Sequence, residues 1–269
     1  MIPTGAVSAA WLLGAGVLAG VIGTAGGITS LVSYPALLAT GLGPVQANVT
    51  NLVAALACWP GSALASRREL SGKWAQLRIV LPVAAIGGAA GAITLLITPG
   101  RAFTLIVPYL VLLGSVIVLV QPALTRRFPP RGIAGTPGET GTPGRTGTPG
   151  ETGSPGIALT AVGAASVYGG YFGAGSGILL LATALALVDP RLPQANALKN
   201  MLVGAGALTA TVIFALTGPV AWSAVAPLAV GLFAGSTLGP ALTRRLPDRV
   251  VRLASALIGL VLAVELWRG

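Results

Sequence analysis

Three polar side chains near the start of one apolar segment could bind an anion. Asn196, Lys199 and Asn200 are spaced i, i+3 and i+4, so a helix places them on one face. Lys199 is the charge that lies well inside an apolar segment, and an ionisable residue at such depth indicates a function. The alternative is a lysine that extends to the membrane surface, since Lys199 lies about 8 Å inside the segment. We interpret it as a substrate ligand.

A related polar group occurs in the first half of the chain. Asn48 and Asn51 also share one helix face, and Thr50 lies beside them. Their amide and hydroxyl groups could bind the oxygens of an anion. The alternative is that they form hydrogen bonds between helices, a frequent role of amides in membranes.

Two glycine-rich breaks could supply further anion ligands. The break residues that we predict to bind substrate are Gly23, Gly26, Gly27, Gly173, Gly175, Ser176 and Gly177. A helix that begins inside the bilayer has free N–H groups at its positive end, and an anion can satisfy them. We expect such helix starts near Ile28 and Ile178. The alternative is that the glycines only permit a turn or close packing.

The elements that position these residues are membrane-spanning helices. Of 269 residues, 54% are hydrophobic and only 8% are charged, against about 25% in a soluble domain. Full spans are predicted at residues 45–66, 79–98, 102–121, 195–217, 220–242 and 250–267. Segments 6–40 and 157–188 are interrupted by the glycine breaks into pieces too short to cross, so each is a re-entrant hairpin or one broken crossing helix.

The basic residues favour the hairpins. With two hairpins, the loops divide the basic residues 13 to 2 between the two sides of the membrane, whereas two crossing segments give 9 to 6. Cytoplasmic loops carry the excess of lysine and arginine. We therefore predict a multi-pass protein of the plasma (inner) membrane with cytoplasmic basic loops.

The chain is internally duplicated. Residues 20–28 match 170–178 at an offset of 150, and residues 44–51 match 193–200 at an offset of 149. With hairpins, the two copies have opposite orientations in the membrane. The predicted fold is therefore an all-α bundle of two inverted repeats, each of about four segments, with the substrate site where the repeats meet.

A collagen-like segment separates the repeats. From 132 to 156 every third residue is glycine. We interpret it as a flexible cytoplasmic linker, with a trimerisation stalk, and thus a homo-oligomer, as the alternative. The predicted organisation is a first repeat at 1–121, a linker at 122–156 and a second repeat at 157–269.

The residue types present disfavour several other functions. The sequence has no histidine and one cysteine, Cys58, so we expect no metal site and no cofactor. None of the six carboxylates lies deep in a predicted span, and we assign Glu69 to a solvated loop. No acid pair or activated nucleophile indicates an enzyme. Although the net charge is +10, no basic helix or stacking motif indicates nucleic-acid binding.

Several motifs together resemble the TauE/SafE sulfite-exporter family. They are the first glycine-rich segment, residues 47–51 (ANVTN), 59–62 (WPGS), 67–70 (RREL), 170–177 (GYFGAGSG), 197–200 (ALKN) and 218–222 (GPVAW). The resemblance implies a membrane permease that exports sulfite, sulfoacetate or related organosulfonates. Its partners would be a small anionic substrate and the lipid bilayer.

Two other functions remain open on the sequence. One is a permease for a different small anion. The other is a non-transporting membrane scaffold that assembles through the Gly-X-Y segment.

Overall fold

A computed structural model describes most of the two predicted repeats. The described residues are 5–26, 29–65, 67–127, 155–188 and 192–243, with residues 257, 260, 261, 263–265 and 267 near the C-terminus. All regular structure in these residues is helical. The collagen-like triplets up to residue 154, Gly27, Ile28 and most of the last predicted span, 250–267, lie outside the described residues.

The helices follow the predicted segments closely. They are α1 (Ala6–Gly26), α2 (Ser30–Ala39), α3 (Pro44–Ala55), α4 (Trp59–Ala65), α5 (Trp74–Ile97), α6 (Gly100–Arg127), α7 (Pro155–Tyr171), α8 (Ser176–Leu187), α9 (Leu192–Thr217) and α10 (Trp222–Thr243). Among the described residues, four helices contain an apolar stretch long enough to cross a bilayer, in α1, α5, α6 and α9. The protein is therefore a multi-pass helical membrane protein.

The predicted span 45–66 contains a change of helix type. A 3-10 turn, Leu56–Cys58, joins α3 to α4, and the backbone stays in the right-handed helical region at both of its ends. Pro60 lies in the first turn of α4 and has no N–H to donate back along the helix. The span is thus one helical path with a tighter turn in the middle, a feature that often marks a hinge.

The first break lies later than the sequence indicated. The helix α1 continues through Gly23 to Gly26, so it has 21 residues and is not too short to cross. Glycine weakens a helix by only about 1 kcal/mol, and packing can offset that cost. Gly16 and Gly20 pack directly against the backbone of α10.

The chain reverses direction after the first break. The indole N–H of Trp11 in α1 donates to the carbonyl of Ala36 in α2 at 3.1 Å. A straight continuation of α1 would carry Ala36 tens of ångströms from Trp11, at about 1.5 Å per residue. α1 and α2 therefore form a hairpin.

The second break is a short turn between α7 and α8. Gly173 and Gly175 have φ values of 84° and 78°, which favour glycine because it has no Cβ. The hydroxyl of Tyr168 donates to the carbonyl of Ala174 at 2.6 Å and fixes the turn. This break lies where the sequence predicted it.

One helix of each half packs against a helix of the other half. α1 packs lengthwise on α10, and α7 packs lengthwise on α5, in each case through glycines that allow backbone contact. A Cβ on Gly16 would lie 2.6 Å from the carbonyl oxygen of Leu228, and one on Gly91 would lie 2.1 Å from that of Val167. The first helix of each half therefore packs on a long helix of the other half, α1 on α10 and α7 on α5.

The matched segments of the two halves run in opposite directions. Gly218 at the end of α9 lies beside Val49 in α3, and Gly204 near the middle of α9 lies beside Trp59 in α4. By contrast, α3 and α4 run in the same direction as α10, since Thr50 contacts Ala221 and Cys58 contacts Leu232. The segments 44–65 and 192–217 are therefore antiparallel.

Candidate functional site

A cavity of about 670 Å³ lies between the two halves. Its volume is within the range of about 300–1,000 Å³ that is common for small-molecule sites. Much of the wall is apolar, and it is formed by residues such as Leu52, Leu56, Leu180 and Val203. The polar groups on this wall therefore decide what can bind.

Lys199 is the buried cation of this cavity. It projects from α9, and only 8% of its surface is exposed. Asn196, one turn earlier and exposed, and Asn200, next to Lys199, also line the cavity. The helical spacing thus brings together the three residues that the sequence grouped.

The ammonium group of Lys199 has no protein partner in the described part of the chain: it forms neither an ion pair nor a hydrogen bond there. A buried charge is costly unless it is paired. An anion in the cavity would supply that partner.

Both breaks contribute to the cavity wall. Thr29 and Ser30 from the start of α2 line it, as do Ser176 and Gly177 from the start of α8. The positive ends of two helices therefore border the cavity. α2 begins at Ser30 and α8 at Ser176, each two residues from the expected starts at Ile28 and Ile178, which is within the usual variation of helix ends.

The individual break residues have different positions. Gly23 and Gly173 line the cavity, and a Cβ on Gly23 would collide with the Thr29 hydroxyl. The Ser176 hydroxyl donates to the carbonyl of Gly173 at 2.8 Å and so closes the turn. Gly175 caps α8, Gly26 ends α1, and Gly27 is outside the described residues.

Asn48, Thr50 and Asn51 lie elsewhere. All three are fully buried in α3, and none is among the described residues that line the cavity. The Asn48 amide donates to the carbonyl of Tyr171 at 2.8 Å, and Thr50 accepts from the N–H of Ala221 at 3.0 Å. Asn51 accepts from the Ser33 hydroxyl. We call these three hydrogen-bonded residues the α3 latch, because two of them join the halves.

The α3 latch directly precedes the cavity along α3, since Leu52, the residue after Asn51, lines the cavity wall. The cavity rim includes exposed Asn196 and the turn that carries Glu69, next to exposed Arg67 and Arg68. The latch is buried with Tyr34 and Phe172, whose rings meet edge to face at 5.5 Å. Exposed Asn196 and the turn that carries Glu69 thus lie at the cavity, whereas the residues of the latch are buried.

Three cavity residues that carry polar atoms without a partner among the described residues were not predicted from the sequence. Glu69 was assigned to a solvated loop, yet it is half-buried on the cavity wall and its Oε2 atom has no hydrogen-bond donor among the described residues. Trp59 and Ser166 also line the cavity, each with a buried polar atom that has no hydrogen-bond partner in the described part of the chain. The turn after α4 folds back over the cavity, and no local sequence pattern indicates such a fold.

No metal site is evident in the described residues: no three His, Cys, Asp or Glu side chains converge there as ligands. The polar groups are instead a lysine, amides, hydroxyls, an indole and one carboxylate. Such a set can hold a small organic or inorganic anion.

A bundle of apolar helices around a central, partly polar cavity is the architecture of a membrane transporter. The chain belongs to the sulfite exporter TauE/SafE family, whose sequence model matches residues 9–266.

Curated relatives agree with this class. The chain is 23% identical over 249 residues to the "Probable membrane transporter protein YfcA" of Escherichia coli K12, which covers 93% of this chain and 86% of that protein. It is 24% identical over 260 residues to the "Probable membrane transporter protein ORF9" of Sinorhizobium sp, which covers 96% of this chain and 91% of that protein. No solved structure matches the chain. The protein is a membrane transporter and not an enzyme.

Proposed function

We propose that this transporter exports small sulfur-containing anions, namely sulfite, sulfoacetate or related organosulfonates, across the plasma membrane. The observation that carries the proposal is the ammonium of Lys199, which has no partner among the described residues and lies on the wall of a cavity between the halves. The family description supplies the sulfur chemistry. In this proposal Lys199 neutralises the anion, and Asn196 and Asn200 bind its oxygens.

The helix starts at the two breaks assist Lys199. The starts of α2 and α8 line the cavity at Thr29 and Ser176. The Ser176 N–H already donates to the carbonyl of Gly173, so the positive ends of the two helix dipoles are what attract an oxyanion. Three glycines of the cavity wall have no side chain, so an anion can approach the backbone there; they are Gly23, Gly173 and Gly177. Gly175, which precedes α8, and Gly26, which ends α1, determine where the helices are interrupted.

Transport requires that the cavity opens alternately on each side. The antiparallel direction of segments 44–65 and 192–217, and the packed pairs α1–α10 and α7–α5, support an inverted-repeat relation between the halves. In such transporters one repeat moves against the other around a fixed site. We propose that release of the α3 latch opens the cavity on the side of the latch.

The direction of net transport follows from charge. If the basic loops are cytoplasmic, the turn that carries Glu69 lies on the cytoplasmic side of the cavity. Moving one negative charge outward then gains about 2.3 kcal/mol per 100 mV of inside-negative potential. The potential alone can therefore drive export of a monovalent anion.

The first test is the Lys199→Ala variant in proteoliposomes. We expect the potential-driven release of sulfoacetate and sulfite to fall by about 100-fold or more, because the anion loses its buried counter-charge. Arg101→Gln is the matched control, since it removes an exposed cation outside the cavity and leaves the flux unchanged. Retained flux in folded Lys199→Ala protein would contradict the role of Lys199.

A further inference from the structure

Two charged side chains of opposite sign line the same cavity. Lys199 lies on α9, and Glu69 lies in the turn between α4 and α5. Within the described residues, neither forms an ion pair or a side-chain hydrogen bond, although they share the cavity wall. Arg67 and Arg68, the neighbours of Glu69, are exposed and do not pair with it. The cavity therefore presents one anion-binding group and one cation-binding group.

A simple anion satisfies only half of this site. Its charge would pair with Lys199 but would be repelled by the carboxylate of Glu69, whose buried Oε2 would remain without a donor. A bare sulfite ion would also fill only a small part of about 670 Å³. The lining instead offers a partner to each part of a longer molecule with an anionic head, a short apolar middle and a cationic end.

We propose that the preferred substrates are short zwitterions, in which an oxyanion such as a sulfonate binds Lys199 and a primary ammonium group binds Glu69. The apolar wall, including Leu56 and Val203, would contact the alkyl chain between the two charges. This inference rests on the proposed function, because it assigns the anionic head to the same lysine. Glu69 then selects among organosulfonates by the charge of their other end.

A zwitterion also changes the energetics of transport. It carries no net charge, so uncoupled movement across the membrane gains nothing from the potential. A simple alkanesulfonate carries one negative charge and responds to the potential. Voltage dependence therefore separates the two substrate classes in the same vesicles.

The experiment compares three compounds with the same sulfonate head in proteoliposomes of the full chain. They are 2-aminoethanesulfonate, its N-acetylated form, which has no cationic end, and ethanesulfonate. We expect the half-saturation concentration for 2-aminoethanesulfonate to be lower than that for either of the other two compounds by about tenfold or more. The reason is the charge-assisted hydrogen bond between its ammonium group and Glu69. Its flux should be independent of the imposed potential, whereas the flux of ethanesulfonate should follow it.

Glu69→Gln tests the assignment of the cationic end. The variant should reduce the preference for 2-aminoethanesulfonate over ethanesulfonate about tenfold, because it removes the attraction to the ammonium and the repulsion of a simple anion. Lys199→Ala should reduce the flux of all three compounds. If Glu69→Gln does not fold, the comparison of the three compounds in the unaltered protein still tests the preference for zwitterions.

The outcomes separate this inference from the proposed function. Equal or better transport of ethanesulfonate by the unaltered protein, lost in Lys199→Ala, would overturn the zwitterion and leave the anion exporter intact. No flux of any sulfonate or of sulfite from folded protein would overturn both.

Discussion

Thr50 is the member of the α3 latch whose contribution can be isolated most cleanly. Its hydroxyl accepts a hydrogen bond from the backbone N–H of Ala221, the residue just before α10, and so connects the two halves. A backbone donor that loses its acceptor inside a protein destabilises the folded state, whereas the loss of two matched partners does not. The latch therefore depends on a hydroxyl at this position.

We expect Thr50→Val to lower the free energy of unfolding by about 1–3 kcal/mol, because valine keeps the shape of threonine and leaves the Ala221 N–H unpaired. Thermal unfolding of the detergent-purified protein measures the change. Thr50→Ser retains the hydroxyl and is the control. Equal stability of the valine and serine variants would contradict a role for this hydrogen bond.

The sequence was informative about single residues where a charge or an amide lies in an apolar segment. Asn196, Lys199 and Asn200 could be grouped because helical spacing alone places them on one face, and all three line the cavity. The sequence did not separate Asn48, Thr50 and Asn51 from the cavity, since the same residue types serve ligands and helix contacts. Glu69 was missed because the fold of the turn after α4, and not the sequence beside two arginines, decides its position.

At the scale of elements, glycines determine how closely the helices approach. A Cβ on Gly88 of α5 would lie 2.3 Å from the carbonyl oxygen of Gly206 in α9. The corresponding atom on Gly163 of α7 would meet only the side chain of Val83, at 3.5 Å. The first position is in backbone contact, and the second has room for a methyl group.

Alanine at these two glycines should therefore have opposite effects. We expect Gly88→Ala to destabilise the protein by about 1–3 kcal/mol, because α5 and α9 must separate. Gly163→Ala should be neutral or stabilising by up to about 1 kcal/mol, because alanine favours a helix. Unfolding temperatures of the two variants measured in one detergent provide the test. A loss of stability of similar size in both would indicate that helix contact is not the cause.

The elements themselves were largely predictable from hydrophobic length. The segments 102–121, 195–217 and 220–242 correspond to α6, α9 and α10 within a few residues, apart from the longer end of α6 at Arg127. Glycine was a less reliable guide to a break, since Gly23 lies within α1 and Gly173 lies in a true turn. The difference is tertiary, because the neighbouring Gly20 of α1 packs on α10.

At the scale of the whole molecule, α5 separates two loops of different charge. It has 24 residues, which corresponds to about 36 Å, enough to cross a bilayer. Arg67 and Arg68 precede it, and Arg101 follows it. The excess of basic residues in the loops predicts that Arg68 is cytoplasmic and Arg101 external.

Single cysteines in a chain without Cys58 test this orientation. We expect a membrane-impermeant maleimide to label Arg101→Cys in intact cells and Arg68→Cys only in inverted vesicles, because α5 places them on opposite sides. Cys58→Ser protein without a new cysteine gives the background. Labelling of both from one side would contradict a crossing by α5, and the reverse pattern would contradict the proposed orientation.

The packing of α1 on α10 and of α7 on α5 has a consequence for the order in which the protein folds during synthesis. During synthesis, α1 is made long before α10, so Gly16 and Gly20 lack their contact with α10 until residues 222–243 emerge from the ribosome. α5 likewise lacks its contact with α7 until α7 has been synthesised. Each half therefore reaches its full packing only when the other half is present. Two helices made later, α7 and α10, pack on two helices made earlier, α5 and α1. A ribosome that stops after the first repeat leaves a chain whose glycine faces on α1 and α5 lack their partners, whereas two separately translated halves together carry both contact pairs, α1 with α10 and α5 with α7.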